Sequence, residues 1–128
     1  MPEKRTLERA RKAKREGKSP TTQAGEFVHE EIEHIREGKH GARSTKQAIA
    51  IGLSKARRAG VKLSPPRKGQ ASARTRKQAQ RDLARGKSGK KASPARSRAS
   101  LSALKREGRS AASRSALSRQ ARSAARKR

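Results

Sequence analysis

The segment His29-Glu30-Glu31-Ile32-Glu33-His34 puts two histidines around glutamates, the residue types that bind and use zinc. A zinc-binding H-E-x-x-H helix needs its histidines at i and i+4, where they share one face. Here they are five apart, about 140° around a helix, so they diverge. The inverted order H-x-x-E-H fails as well, by one residue too many. No metal site is expected from this spacing, and the histidines read as solvated. Arg85-Gly86-Lys87-Ser88 carries the Gly-Lys-Ser end of a phosphate loop, but Arg81 stands where the earlier glycine is required and no strand precedes it. The many serines have no His/Asp arrangement beside them, so a nucleophile would lack its base. Catalytic residues, a cofactor and a small-molecule substrate are therefore not predicted, and the chain reads as a non-enzyme.

What remains is the chemistry of charge. The formal net charge is +27. Residues 65–128 carry 21 Lys and Arg against Asp82 and Glu107 alone, a net of +19, and residues 1–64 supply the other +8. Self-repulsion on that scale opposes a compact state unless a polyanion supplies the missing charge. The candidate phosphate-binding residues follow the chain in clusters. Arg67 and Lys68 come first, then Arg74, Arg76, Lys77, Arg81, Arg85 and Lys87, then Lys90 and Lys91. Arg96 and Arg98 follow, then Lys105, Arg106 and Arg109, and finally Arg114, Arg119, Arg122, Arg126, Lys127 and Arg128. Each phosphate contact releases counterions, a term that is large, indifferent to sequence and sensitive to salt. The tail has no aromatic residue for base stacking, which favours duplex DNA over a single strand; RNA is the second nucleic-acid candidate. Serine hydroxyls in this stretch could bond phosphate, and their phosphorylation would reduce the charge.

The elements that must carry these groups are helical. Hydrophobic content is 29% with one aromatic, Phe27, and there are no cysteines, so neither a large core nor a disulfide framework is available. Gly17, Gly38 and Gly108 each follow an Arg-Glu pair and read as helix stops. The first predicted helix runs from Pro2 to Glu16 with a thin apolar side of Leu7, Ala10 and Ala13. The second starts at a cap on Ser19 or Thr21 and ends near Glu37, with Ala24, Phe27, Val28, Ile32 and Ile35 on one face and Glu31 in the middle of that face. Glu31 is expected to meet a cation of the third helix or to snorkel to water. The third helix runs from about Lys46 to Ala59 behind a cap on Ser44 or Thr45, and its Ala48, Gly52 and Ala56 make a row where a second helix can come close. Val61 and Leu63 should fold back over its end.

These features predict an all-α protein: a basic N-terminal helix or arm over 1–18, a helical hairpin head over 19–63 in which the N-terminal helix can be a third member, and a long, largely disordered or transiently helical tail over 64–128. Tandem prolines at Pro65-Pro66 separate head from tail. Arg96–Ala112 repeats as Arg109–Ala125, with 12 of 17 positions identical. A 13-residue step turns one continuous helix by about 220°, so the repeat should not build an apolar face. Lys46, Lys55, Arg57 and Arg58 are candidate nucleic-acid contacts on the head. Ile51 and Leu7 point to a homodimer through the head. No apolar run approaches the ~20 residues of a membrane span, and Met1 to Ser19 lacks a secretory signal's hydrophobic stretch. A cytoplasmic, nucleoid-associated protein is the expectation.

The segment Ser44-Thr45-Lys46-Gln47-Ala48-Ile49-Ala50-Ile51-Gly52-Leu53-Ser54-Lys55-Ala56-Arg57-Arg58-Ala59-Gly60 resembles a bacterial and phage family marked by K-Q-A-I-A-I-x-L-S-x-A-R-x-A-G. The similarity continues upstream through Ser19-Pro20-Thr21, Gly25-Glu26-Phe27-Val28 and Gly38-Lys39-His40-Gly41, so that it covers about residues 19–63. Members of that family are often labelled plasmid stabilisation or DNA-binding proteins, which implies a DNA-binding accessory role. Lys55 stands where short members commonly have an acid. The tail is similar to histone H1-like basic tails in composition, and Ser64-Pro65-Pro66-Arg67-Lys68 and Ser93-Pro94-Ala95-Arg96 resemble their Ser-Pro-basic elements. The expected function is backbone binding to DNA without sequence preference. The alternative is a protein-interaction module whose head docks a partner while the tail localises it to RNA or ribosomes.

Overall fold

Among the described residues, five of the six α-helices begin behind a capping serine. In the computed structural model, which describes residues 2–89 and 93–126, Ser19, Ser44, Ser72, Ser93 and Ser113 each accept a hydrogen bond from the amide three residues on. They cap α2 (Pro20–Arg36), α3 (Thr45–Arg58), α4 (Ala73–Ser88), α5 (Pro94–Lys105) and α6 (Arg114–Arg126). Only α1 (Lys4–Arg15) starts without a side-chain cap of its own. Gly17 and Gly38 take positive φ at the ends of the first two helices, as the sequence predicts, and Gly60 does the same after α3. Gly108 does not; α5 stops at Lys105 and the chain continues through a short 3-10 turn at Ser110–Ala112. Pro94 occupies the first turn of α5 behind the Ser93 cap, so this Ser-Pro pair starts a helix.

The protein is all-α, and the expectation of a long, largely disordered or transiently helical tail is overturned. Residues 64–128 carry α4, α5 and α6. Three physical facts outweigh the self-repulsion. Ala, Arg, Lys and Gln are strong helix formers, every helix in the stretch has a serine cap, and two of the least conspicuous residues, Asp82 and Gly86, dock α4 by the contacts described next. The 13-residue repeat does not lie on one unbroken helix. The break between α5 and α6 resets the phase, and the equivalent Leu104 and Leu117 are both half-buried.

The chain forms two compact units, Met1–Glu30 with Gly52–Lys91 and Glu31–Ile51 with Ala92–Arg128. In the first, Ala10, Ala24, Phe27, Ala56 and Val61 are buried together, with Leu7, Leu53 and Leu63 packed on them. Leu7 is thus spent inside the chain. Small residues let the backbones meet: a Cβ on Gly52 would lie 2.6 Å from the Val28 Cα, the close approach foreseen from the small-residue row. A Cβ on Gly86 would collide with the Arg57 carbonyl oxygen, so the last turn of α4 rests on the end of α3. Asp82, 2% exposed, accepts hydrogen bonds from the Ser54 hydroxyl at 2.7 Å and the Gln78 amide at 3.1 Å, with Arg58 Nε 3.8 Å away. Glu30 is buried, and its carboxylate accepts the Glu3 backbone N–H at 2.6 Å.

The second unit ties the loop after α2 to the C-terminal segment through backbone groups. Gly41 N–H donates to the Leu104 carbonyl at 2.8 Å and Ala42 N–H to the Gly108 carbonyl at 3.0 Å. The Thr45 hydroxyl donates to the Ala111 carbonyl at 2.6 Å. Ile32, Ile35, Ala42, Ala48, Ala111 and Ala112 are its buried apolar residues.

Candidate nucleic-acid interface

A helix that buries one side must present its remaining side chains to water, and in α4 those are cations. Ala79 and Asp82 form the buried side. Arg74, Lys77, Arg81 and Arg85 fall within about 80° on the other; the first three are exposed and Arg85 is half-buried. Arg76 lies closer to the body, where its Nε donates to the Pro66 carbonyl at 3.1 Å. Lys87 is exposed at the helix end, and Arg67 and Lys68 are exposed before it.

In the second unit, α6 arranges Arg119, Arg122 and Arg126 within about 60° of arc, all exposed, and with Ala125 they line a shallow depression. A second depression is lined by Arg36, Arg109, Ala112, Ser113 and Arg114. Two of its guanidinium groups are held by backbone carbonyls: Arg36 Nε donates to Ala112 O at 3.1 Å and Arg109 Nη2 donates to Arg36 O at 3.0 Å. Carbonyls orient a guanidinium without neutralising it, which leaves the charge available to an anion. Arg36 also faces Glu33 at 3.4 Å. Arg96, Arg98, Lys105 and Arg106 are exposed on or just after α5. Lys90, Lys91, Lys127 and Arg128 lie outside the described residues.

Of the 17 C-terminal cations the structure describes, all but Arg76 and Arg85 are exposed. Among the described residues, none of the 17 is in an ion pair with an acid.

The head cations divide differently. Lys46 is exposed and Lys55 half-buried. Arg57 is buried, with Nε donating to Leu63 O and Nη2 to Ser64 O, both at 3.0 Å. Burial pushes its guanidinium below the ordinary arginine value, and the nearby Asp82 carboxylate opposes that shift. Its fork ties the post-helix segment to α3 and is not turned outward. Arg58 is half-buried between Asp82 and the Ser54 carbonyl. Sequence reasoning missed Arg36, and it missed α1, whose Lys4, Arg5, Arg9, Arg11, Lys12, Lys14 and Arg15 are all exposed. The signal was present in α1 as a helix with almost no apolar side. Arg36 reaches its neighbours only through the loop geometry.

The histidines are placed by the turn after α2. His29 is exposed, and His34 is half-buried and meets His40 edge-to-face, with centroids 6.0 Å apart. Glu31, 0% exposed in its side chain, lies 3.2 Å from His40 Nε2, which is itself buried. One donor atom from each of Glu31, His34 and His40 falls within a set whose members are no more than 4.8 Å apart. These three residues could hold a metal ion; His29, which sequence spacing set beside His34, takes no part.

Residues 11–69 match a family of unknown function (DUF6496). The match takes in the last turn of α1, all of α2 and α3 and the segment up to Gly69, and it ends before α4. No curated protein and no solved structure matches the chain.

Proposed function

We propose that this protein is a non-enzymatic nucleic-acid-binding accessory protein that holds the phosphate backbone, duplex DNA foremost, without sequence preference. The observation that carries the reading is the set of C-terminal cations on folded helices, exposed and without an acidic partner among the described residues. A row of cations on one helix face has a fixed spacing, so its charges add over a short length of duplex, which carries one negative charge per about 1.7 Å of axis. Arginine predominates in the C-terminal set, and its planar fork suits phosphate oxygens. The absence of aromatic residues beyond Phe27 removes the stacking platforms that a dedicated single-strand binder uses. Such a protein would reside on the nucleoid in the cytoplasm. Among the described residues, no helix is long and apolar enough to cross a membrane.

The reading is tested by binding full-length protein to a duplex of arbitrary sequence, a scrambled duplex, a single strand and a structured RNA at one salt concentration. Equal affinity for the two duplexes, above that for the single strand, supports it. Tighter binding to the RNA would move the ligand class to RNA, and no binding to any of the four would sink the proposal.

A further inference from the structure

We propose that Glu31, His34 and His40 form a binding site for a divalent transition metal, with zinc the best fit. His40 Nδ1 lies 2.9 Å from the Gly41 carbonyl oxygen, and a carbonyl can only accept, so Nδ1 carries the hydrogen. In the neutral ring Nε2 is then a lone pair. That lone pair faces a Glu31 carboxylate oxygen at 3.2 Å in a buried setting, and Nε2 makes no hydrogen bond among the described residues. Two electron-rich atoms at that distance need a cation between them, either a proton or a metal. The separation fits a metal as well as a proton, and the third ligand, His34, is what points to the metal. In a tetrahedral zinc site with bonds of about 2.0 Å, neighbouring ligand atoms are about 3.3 Å apart, close to the observed separation.

The remaining features point the same way. Glu31 and His34 are three apart on α2, the Glu-x-x-His spacing by which helices present two ligands to one ion. His40 arrives from the loop after Gly38, and its Nδ1–H to Gly41 bond is the outer-shell contact that usually orients a ligating histidine. His34 is half-buried, which leaves an approach for the ion and for a water as fourth ligand. The site sits in the chain's one acidic stretch, where Glu26, Glu30, Glu31, Glu33 and Glu37 are five of its ten acids. Two nitrogens and one carboxylate oxygen match zinc and its neighbours rather than calcium or magnesium, which prefer all-oxygen sets. The second unit also has a use for the ion. Only Ile32 and Ile35 are large among its buried apolar residues, and small cores are commonly stapled by a structural metal.

The test is calorimetric titration of zinc chloride into chelator-treated, nucleic-acid-free full-length protein, with cobalt absorption as the spectroscopic readout. The expected result is one ion per chain, a rise in melting temperature on zinc addition, and tetrahedral cobalt bands. His34→Ala, at the rim of the site, should weaken binding at least about tenfold, and Glu31→Gln should do the same with side-chain shape retained. His29→Ala should stay within about twofold of the parent. Absence of saturable binding in the parent, or an equal loss in His29→Ala and His34→Ala, overturns the proposal and leaves a proton-held Glu31–His40 pair.

Discussion

The Ser54 hydroxyl donates to Asp82 Oδ2 at 2.7 Å, joining α3 to α4 through one of only two acids in residues 65–128. A carboxylate buried to 2% exposure is tolerable because Ser54, Gln78 and Arg58 surround it. The same contact explains how so cationic a stretch has a fixed helix within the first unit. Asp82→Ala should therefore lower stability by about 2–3 kcal/mol, the cost of removing a buried charged acceptor and stranding its donors. Asp82→Asn, which keeps an acceptor for Ser54, should lose less. Thermal melting gives the totals, and amide exchange should show α4 released first.

Glycine at positions 52 and 86 is a packing requirement. Gly52→Ala and Gly86→Ala should each cost about 1–3 kcal/mol, since the added Cβ meets the Val28 or Arg57 backbone. Gly25, in α2 with open space around it, is the control: Gly25→Ala should raise stability by about 0.5–1 kcal/mol. Denaturant midpoints of the three variants check the sign of each.

Ser93 and Ser113 cap α5 and α6, neither of which has a buried residue. Their helicity consequently leans on the caps. Ser93→Ala or Ser113→Ala should cost its helix about 1 kcal/mol, seen as faster amide exchange in that helix and a smaller far-ultraviolet helix signal. Ser93→Asp should restore α5, because a carboxylate caps as well as a hydroxyl and favours the helix start.

Arg57 separates folding from binding. Arg57→Lys loses the fork to the Leu63 and Ser64 carbonyls and should cost about 1–2 kcal/mol of stability. Its affinity for DNA should not change at a temperature where the variant is folded. A fall in affinity without a fall in stability would return Arg57 to the binding surface.

The two helices of the head, α2 and α3, are legible because their apolar faces and terminal glycines follow a strong period: Phe27, Ile35 and Ala56 are buried where periodicity puts them. The helices of the C-terminal half are not legible in its composition, because caps and single docking residues decide them. Its signals were single residues, the serines at 72, 93 and 113 and the lone Asp82, which a count of charges hides. Gly86 looked like a fragment of a phosphate loop, whereas its role depends on the Arg57 carbonyl far away in sequence. The Glu31–His40 contact was illegible for a similar reason. The histidine that meets Glu31 lies in the loop after α2 and not on the helix itself.

The claim that the exposed cations hold phosphate is tested most directly by the salt dependence of duplex binding. The comparison is between the parent and full-length variants carrying Arg74→Gln, Lys77→Gln and Arg81→Gln on α4, or Arg119→Gln, Arg122→Gln and Arg126→Gln on α6, each shown to melt like the parent. Each phosphate contact contributes about 0.9 to the slope of log affinity against log salt. The account predicts a steep negative slope for the parent, made shallower by up to about 2.7 in each triple variant, with affinity falling alike for all duplex sequences. An unchanged slope in both variants would contradict it.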